Sequence, residues 1–296
     1  MGYLILVSLI WALPFGLISV LVTEAGVSLE ALPFLRLGLA LLVFLPFMRI
    51  DDLNTRERWQ LGGIGAVQYG LMYVLLFHSF AYLPAWQVAL FTVFTPFYVA
   101  GIYDVLERRF NLQRFLLTLL AVTGAAIIVF DREKLREAAL LPLLEGFLYM
   151  QLCNLCFAGG QVAYRQWRER MKAIKDAQVY GLLYTSAALV AGVYWVVLLV
   201  AGEGSMAWTH MTPAHLGILI YLGVVSSGLC FFWWNRGATQ VRPGTLAVFN
   251  NLKVPLGVIG ALLITGTVIS VPQLLAGGLL IALAIYLSER RPPKMA

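Results

Sequence analysis

Apolar positions run almost without interruption for about twenty residues at a time along most of this chain. Ten such runs are separated by short connectors, at about 2–22, 29–48, 60–80, 84–105, 112–130, 143–164, 179–201, 214–234, 243–265 and 272–288. A helix of ~20 apolar residues crosses the hydrocarbon core of a bilayer, whereas a barrel strand alternates apolar and polar positions over ~10 residues. The pattern predicts an all-α polytopic membrane protein with ten transmembrane helices, which we number spans one to ten.

The composition excludes a soluble or a disordered protein. Of the 296 residues, 60% are apolar or aromatic and only 12% are charged. Soluble domains carry roughly 25% charged residues, and disordered chains are poor in aromatic residues. The three cysteines lie within apolar runs, and no phosphate-binding loop, metal quartet or nucleophile–base arrangement is present. We therefore expect no cofactor, no metal and no enzymatic activity.

Basic residues are concentrated in alternate connectors. Sixteen of the 21 lysines and arginines lie in five of them, namely 49–59, 107–114, 165–177, 236–242 and the tail after 288. By the positive-inside rule both termini are cytoplasmic. The net charge of +6 then reflects orientation in the bilayer rather than a nucleic-acid partner. The connector 131–142 disagrees, since it carries three basic residues on the predicted outer side, and we interpret it as a segment along the membrane interface.

Proline positions recur at an offset of 159 residues. Pro84 opens span four as Pro243 opens span nine, and twelve residues later Pro96 matches Pro255. Each half contains five spans, and an odd number of crossings inverts the second half relative to the first. The chain is therefore predicted to form two inverted five-helix repeats, 1–130 and 143–288. Such repeats are typical of secondary transporters, whose substrate site lies near the midplane between the halves.

Small residues recur at helix-packing spacing in two spans. Gly62, Ala66 and Gly70 occupy every fourth position of span three, and Gly223 and Ser227 do the same in span eight. Small residues allow helix backbones to approach closely in lipid. The rows predict contacts between helices rather than a binding motif.

Two cations lie deep within predicted spans. Lys253 is roughly 15 Å from the cytoplasmic edge and Arg36 is roughly 10–12 Å from the outer edge, and no Asp or Glu is comparably deep. Because a buried charge is costly, we interpret Lys253 as the partner of a substrate carboxylate or phosphate. The alternative is a neutral lysine hydrogen-bonded to Asn250 or to a carbonyl freed by Pro255. Arg36 is expected to line the cavity or to have a structural role.

Uncharged polar side chains gather at the same depth in several spans. A lone polar residue usually connects helices, at ~0.6 kcal/mol each, but a layer across several spans favours a binding site. The candidate substrate-binding residues are Lys253, Asn250, Asn251, Asn154, Trp11, Tyr73, Gln68, Tyr69, Thr92, Thr95, Ser227 and Arg36. An integral-membrane enzyme would need deep carboxylates for acid–base or metal chemistry, so it is a remote alternative.

Several short segments of the chain form a recognisable set, namely Trp11-Ala12 in span one, Leu35-Arg36-Leu37 in span two and the paired Pro96 and Pro255. With these segments the chain resembles the ten-helix EamA type of the drug/metabolite transporter superfamily. The resemblance covers nearly the whole chain. It implies a basket of ten helices around a central cavity, lined mainly by spans one, three, four, six, eight and nine.

Four longer stretches are also distinctive, at 42–47, 90–96, 235–241 and 250–255. They resemble the biotin importers of the carboxylate/amino acid/amine transporter branch. The resemblance implies a multi-pass protein of the bacterial inner membrane that imports a small carboxylate, with biotin as the expected substrate, by alternating access. An exporter of amino acids or related metabolites is the alternative.

Biotin also fits the candidate residues chemically. Its carboxylate suits Lys253, and its ureido group suits the amides of Asn154, Asn250 or Asn251. The apolar bicycle suits the rings of Trp11 and Tyr73. The expected partners are thus a small molecule and the lipid bilayer.

Overall fold

Helices account for every regular element in the part of the chain that the structure describes. This computed structural model covers residues 1–83, 85–129, 140–205, 208–257, 259 and 270–289. The helices long and apolar enough to cross a membrane are Thr55–Ser79, Leu140–Arg170, Asp176–Ala201, Pro213–Ala238 and Val271–Glu289. Shorter apolar helices are Leu32–Phe47, Thr92–Leu106 and Leu112–Ile128. The all-helical membrane fold is confirmed, and the count of ten spans stays a prediction.

The helices follow the predicted spans closely. In chain order the α-helices are α1 (Gly2–Ile10), α2 (Pro14–Thr23), α3 (Leu32–Phe44), α4 (Thr55–Gly65), α5 (Met72–Ser79), α6 (Ala85–Phe91), α7 (Thr95–Leu106), α8 (Leu112–Val129), α9 (Leu140–Arg170), α10 (Asp176–Ala201), α11 (Pro213–Ile220), α12 (Cys230–Ala238), α13 (Pro243–Phe249) and α14 (Val271–Glu289). The π-helical segments π1 (Ala66–Leu71) and π2 (Tyr221–Leu229) join α4 to α5 and α11 to α12. Most of the connector 131–142, the end of span nine and the basic tail lie outside the described residues.

Prolines divide three of the predicted spans. Proline has no N–H, so the carbonyl four residues earlier loses its helical partner. Pro14 separates α1 from α2, and the freed carbonyl of Ile10 accepts a hydrogen bond from Tyr221 Oη at 3.1 Å. Span four likewise breaks into α6, a 3-10 turn at 92–94 and α7, just before Pro96. Span nine breaks after α13, and helical backbone resumes at Lys253.

The same irregularities occur at corresponding places in the two halves. π1 lies within span three and π2 within span eight, which are the third spans of the two predicted repeats. Spans four and nine both break within a few residues of their shared proline. These correspondences agree with the predicted duplication, while the boundaries 1–130 and 143–288 stay a prediction.

Aromatic side chains fill the interior, and aliphatic side chains cover the outside. The largest side chains with less than 2% exposure include Trp167, Trp234, Tyr69, Tyr164, Tyr180 and Tyr184. By contrast, Leu42, Val200 and Leu279 are 63%, 85% and 70% exposed. Contiguous exposed aliphatic surface of this kind is compatible with lipid rather than with water.

The packing row of span three differs from the predicted one. A Cβ on Gly65 would lie 2.2 Å from the carbonyl oxygen of Leu183, and one on Gly70 would lie 3.0 Å from that of Ala187. Gly62 has nothing within 4 Å, so its predicted role was wrong. The wider turn of π1 rotates the following residues, so glycines five positions apart contact α10.

Helices α8 and α14 approach each other through two glycines, and one methyl group there should destabilise the protein. A Cβ on Gly277 would lie 2.2 Å from the carbonyl oxygen of Gly124, whose backbone cannot move aside easily. We expect Gly277→Ala to lower stability by ~1–3 kcal/mol, the usual cost of overpacking. The measurement is the midpoint of thermal unfolding in detergent.

Gly278 provides a matched control for this substitution. It lies on the same helix turn, but a Cβ added there would have nothing within 4 Å. Gly278→Ala should leave the midpoint unchanged or raise it, because alanine favours helix more than glycine does. Equal midpoints for the two variants would contradict the proposed close contact.

Candidate functional site

A cavity of about 110 Å³ lies among the helices, at the depth of the helix breaks. Its walls come from α2, α3, α5, α9, π2, α12 and the breaks in spans one, four and nine. The lining residues are Trp11, Pro14, Ile18, Arg36, Met72, Tyr73, Leu76, Thr92, Thr95, Cys153, Asn154, Phe157, Ser226, Phe231 and Lys253. None of these described lining residues is acidic. The cavity therefore combines an apolar wall with two basic groups.

The structure brings together seven of the twelve predicted site residues. The seven that line the cavity are Lys253, Asn154, Trp11, Tyr73, Thr92, Thr95 and Arg36. The five outside its lining are Asn250, Asn251, Gln68, Tyr69 and Ser227. Residues absent from the prediction include Phe157 and Phe231, since an isolated phenylalanine in an apolar span carries no distinguishing signal.

Lys253 has no hydrogen-bond or ion-pair partner among the described residues. Its Nζ lies 5.8 Å from the ring centroid of Phe157 and faces the cavity. The alternative partner, Asn250, instead donates from Nδ2 to the carbonyl of Leu246 at 2.9 Å. Asn250 Oδ1 is buried and makes no hydrogen bond in this part of the chain. The amine is thus available to an anionic ligand.

Arg36 is 3% exposed and points inward rather than towards the membrane interface. Its Nε donates to Ser227 Oγ at 3.1 Å, and its Nη2 donates to Ser226 Oγ at 3.4 Å. The guanidinium carbon lies 4.7 Å from the ring centroid of Tyr73. Both acceptors are neutral, and no described carboxylate pairs with Arg36. Its positive charge also acts on the cavity uncompensated.

Side chains satisfy the carbonyls that the break in span four releases. Asn154 Nδ2 donates to the carbonyl of Phe91 at 2.8 Å, and Asn251 Nδ2 donates to that of Val93 at 3.0 Å. Thr95 Oγ1 lies 2.7 Å from the carbonyl of Thr92. Buried carbonyls in a membrane span need such partners. One of the two amide N–H groups of Asn154, and one of those of Asn251, is therefore already in use.

Trp11 forms part of the cavity wall and is held by π2. Its Nε1 donates to the carbonyl of Ser226 at 3.0 Å. Its ring lies 5.1 Å from Phe231 and 5.1 Å from Trp234, centroid to centroid. The indole therefore presents an apolar face to a ligand, because its only donor is occupied.

A buried polar layer joins span three to span eight, and along both spans it lies nearer than the cavity lining to the basic connectors 49–59 and 236–242. Gln68 Nε2 donates to Asn235 Oδ1 at 2.9 Å, and Asn235 Nδ2 donates back to Gln68 Oε1 at 3.2 Å. Asn235 Nδ2 also lies 2.8 Å from Tyr69 Oη. Gln68 and Tyr69 thus contact α12 rather than the cavity. We call Gln68, Tyr69 and Asn235 the amide layer.

The fold and cavity define a multi-pass helical membrane protein with an internal site whose lining includes two basic side chains and, among the described residues, no acidic one. The EamA-like transporter family matches over residues 1–130. A probable biotin transporter of Pseudomonas aeruginosa is 38% identical over 98% of this chain and 97% of its own length. The biotin transporters of Salmonella typhimurium and Escherichia coli K12 are each 36% identical over 98% of this chain and 93% of theirs.

The chain therefore belongs to the EamA-like transporter family. The resemblance inferred from its residues is confirmed. A solved crystal structure that is 16% identical aligns with a TM-score of 0.74 over 97% of this chain and 95% of its own. At this identity the likeness shows a shared fold alone.

Proposed function

We propose that this protein is a secondary transporter, not an enzyme, that imports biotin across the bacterial inner membrane. The observation that carries the proposal is Lys253, whose amine faces the cavity without a hydrogen-bond or ion-pair partner among the described residues. A monocarboxylate would supply the missing charge. The relatives at 36–38% identity that bear the name biotin transporter support biotin as that carboxylate.

The cavity wall suits the apolar part of biotin. Trp11, Phe157 and Phe231 present rings to the same space, with centroid separations from Trp11 of 6.3 Å to Phe157 and 5.1 Å to Phe231. Aromatic surface of this kind packs well against a saturated bicycle and a methylene chain. The ligand carboxylate would lie at Lys253, next to Phe157.

Transport would proceed by alternating access between the two repeats. The basic connectors orient both termini to the cytoplasm, so the amide layer lies between the cavity and the cytoplasm. Opening that side requires spans three and eight to separate, which breaks the Gln68–Asn235 pair. Because the repeats are inverted, rocking one against the other exposes the midplane site to each side in turn.

Counterflow in proteoliposomes tests this function without knowledge of a coupling ion. Vesicles containing the purified protein and unlabelled biotin should accumulate labelled biotin from outside, and protein-free vesicles should not. Vesicles loaded with amino acids provide the comparison for the exporter alternative. Exchange of an amino acid without exchange of biotin would overturn the proposal in favour of that alternative.

A further inference from the structure

Arg36 retains hydrogen-bond donors that no described residue uses. A guanidinium carries five N–H groups. Two of them are directed to Ser227 and Ser226, and the Nη1 group has no acceptor in the described part of the chain. Leaving charged donors unpaired in a buried site is unfavourable. An acceptor on the ligand would satisfy them, since Arg36 lines the cavity.

The hydroxyl of Ser227 holds this guanidinium in a defined orientation. Ser227 Oγ donates to the carbonyl of Leu222 at 2.8 Å, five residues earlier in π2. Its lone pairs can then accept from Arg36 Nε at 3.1 Å and from Tyr73 Oη at 2.9 Å. The guanidinium is therefore preorganised for a ligand, with its central carbon near the ring of Tyr73.

A row of aromatic rings separates Arg36 from Lys253. Lys253 Nζ lies 5.8 Å from the Phe157 ring, and Phe157 lies 6.0 Å from Phe231. Phe231 lies 5.9 Å from Tyr73, whose ring is 4.7 Å from the Arg36 guanidinium carbon. The cavity lining thus carries two basic groups with aromatic rings between them. Such a cavity suits a ligand that carries an anionic group at one end and a neutral hydrogen-bond acceptor at the other.

We propose that Arg36 binds the ureido oxygen of the substrate while Lys253 binds its carboxylate. This assignment rests on the proposed function, because only then does the substrate carry a cyclic urea. A urea oxygen has two in-plane lone pairs and accepts well from a guanidinium edge. The amides of Asn154 and Asn251 are weaker candidates, since each already gives one of its two N–H groups to a carbonyl, that of Phe91 or Val93, and neither carries a charge.

The assignment makes Arg36 a specificity determinant. 2-Iminobiotin replaces the urea with a guanidinium, which is positively charged at neutral pH and would face Arg36 with a like charge. Desthiobiotin keeps both the urea and the carboxylate but lacks the thioether. Biotin methyl ester keeps the urea and loses the anion. The site should therefore accept desthiobiotin and reject the other two, for different reasons.

Competition against labelled biotin on the purified protein tests the assignment. The wild-type protein should prefer biotin over 2-iminobiotin by about 10- to 100-fold, the effect of one charge-assisted hydrogen bond. Arg36→Gln should reduce that ratio to within about threefold, while the ratio of biotin to its methyl ester is retained. Lys253→Met should instead reduce the ratio of biotin to its methyl ester and retain the ratio of biotin to 2-iminobiotin. Arg36→Lys keeps the charge and should still reject 2-iminobiotin.

Each outcome supports or overturns the assignment. The assignment would be overturned if Arg36→Gln still preferred biotin over 2-iminobiotin as strongly as the wild-type protein does. It would also be overturned if Arg36→Gln lost the preference for biotin over its methyl ester. If neither Arg36 variant is monodisperse, the order in which the three analogues compete with labelled biotin on the wild-type protein tests the assignment. Equal competition by 2-iminobiotin and desthiobiotin would contradict a cation next to the urea. A wild-type protein that binds no biotin would instead refute the proposed function itself.

Discussion

Lys253→Met is expected to abolish biotin uptake while leaving folding and membrane insertion intact. Removal of one partner from a buried ion pair between protein and ligand lowers affinity by ~2–5 kcal/mol, which is about 30-fold or more. The stability of the free protein should not fall, since no described residue pairs with Nζ and methionine fits beside Phe157. Counterflow of labelled biotin measures the first effect, and the thermal midpoint in detergent measures the second.

Lys253→Arg is the matched control for charge. Arginine keeps the positive charge and changes the shape of the head group, so part of the uptake should persist. Normal biotin uptake by Lys253→Met would show that Lys253 does not bind the substrate. A large loss of stability in that variant would instead indicate a structural partner for the amine.

The amide layer should show strong coupling between Gln68 and Asn235. Both side chains are 0% exposed and each donates to the other. Asn235→Leu leaves the Gln68 amide unpaired in a buried layer, so we expect a loss of ~1–3 kcal/mol in unfolding free energy. Replacing both residues with leucine should restore much of that loss, because no unpaired amide remains. The stabilities of the four proteins form a double-mutant cycle.

The same cycle separates a structural role for Gln68 from a role in binding. Depth along span three predicts Gln68 as a substrate-binding residue, whereas its contacts are with α12. If the contacts describe its role, the double variant should bind biotin with nearly wild-type affinity once its fold is restored. Additive stability losses, or a stable double variant that no longer binds biotin, would contradict this interpretation.

The length of each span could be predicted because lipid leaves the backbone few options. Every N–H and C=O inside a bilayer must find a partner, so a long apolar run becomes a helix. The predicted runs 60–80 and 179–201 correspond to the helices Thr55–Ser79 and Asp176–Ala201. Pro96 and Pro255 similarly predict freed carbonyls, and span four does break just before Pro96.

The π-helical segments could not be predicted in this way. A π-turn depends on contacts with neighbouring helices, so the spacing of apolar residues along the sequence does not predict where it forms. π1 brings Gly65 and Gly70 against α10 in place of the regular row that includes Gly62. π2 positions the Ser226 and Ser227 hydroxyls near Arg36.

From the sequence alone we could infer the class of protein, the family and the position of the two cations along their predicted spans. Depth follows from the constant rise of a helix, so Lys253 and Arg36 stand out in the chain without any structure. Which of the deep polar groups face the cavity depends on the packing of the helices. Asn251 and Gln68 are as deep as Lys253, yet their amides bond to Val93 and Asn235. The direction of a side chain around its helix depends on how the helices pack, and this packing leaves Lys253 facing the cavity.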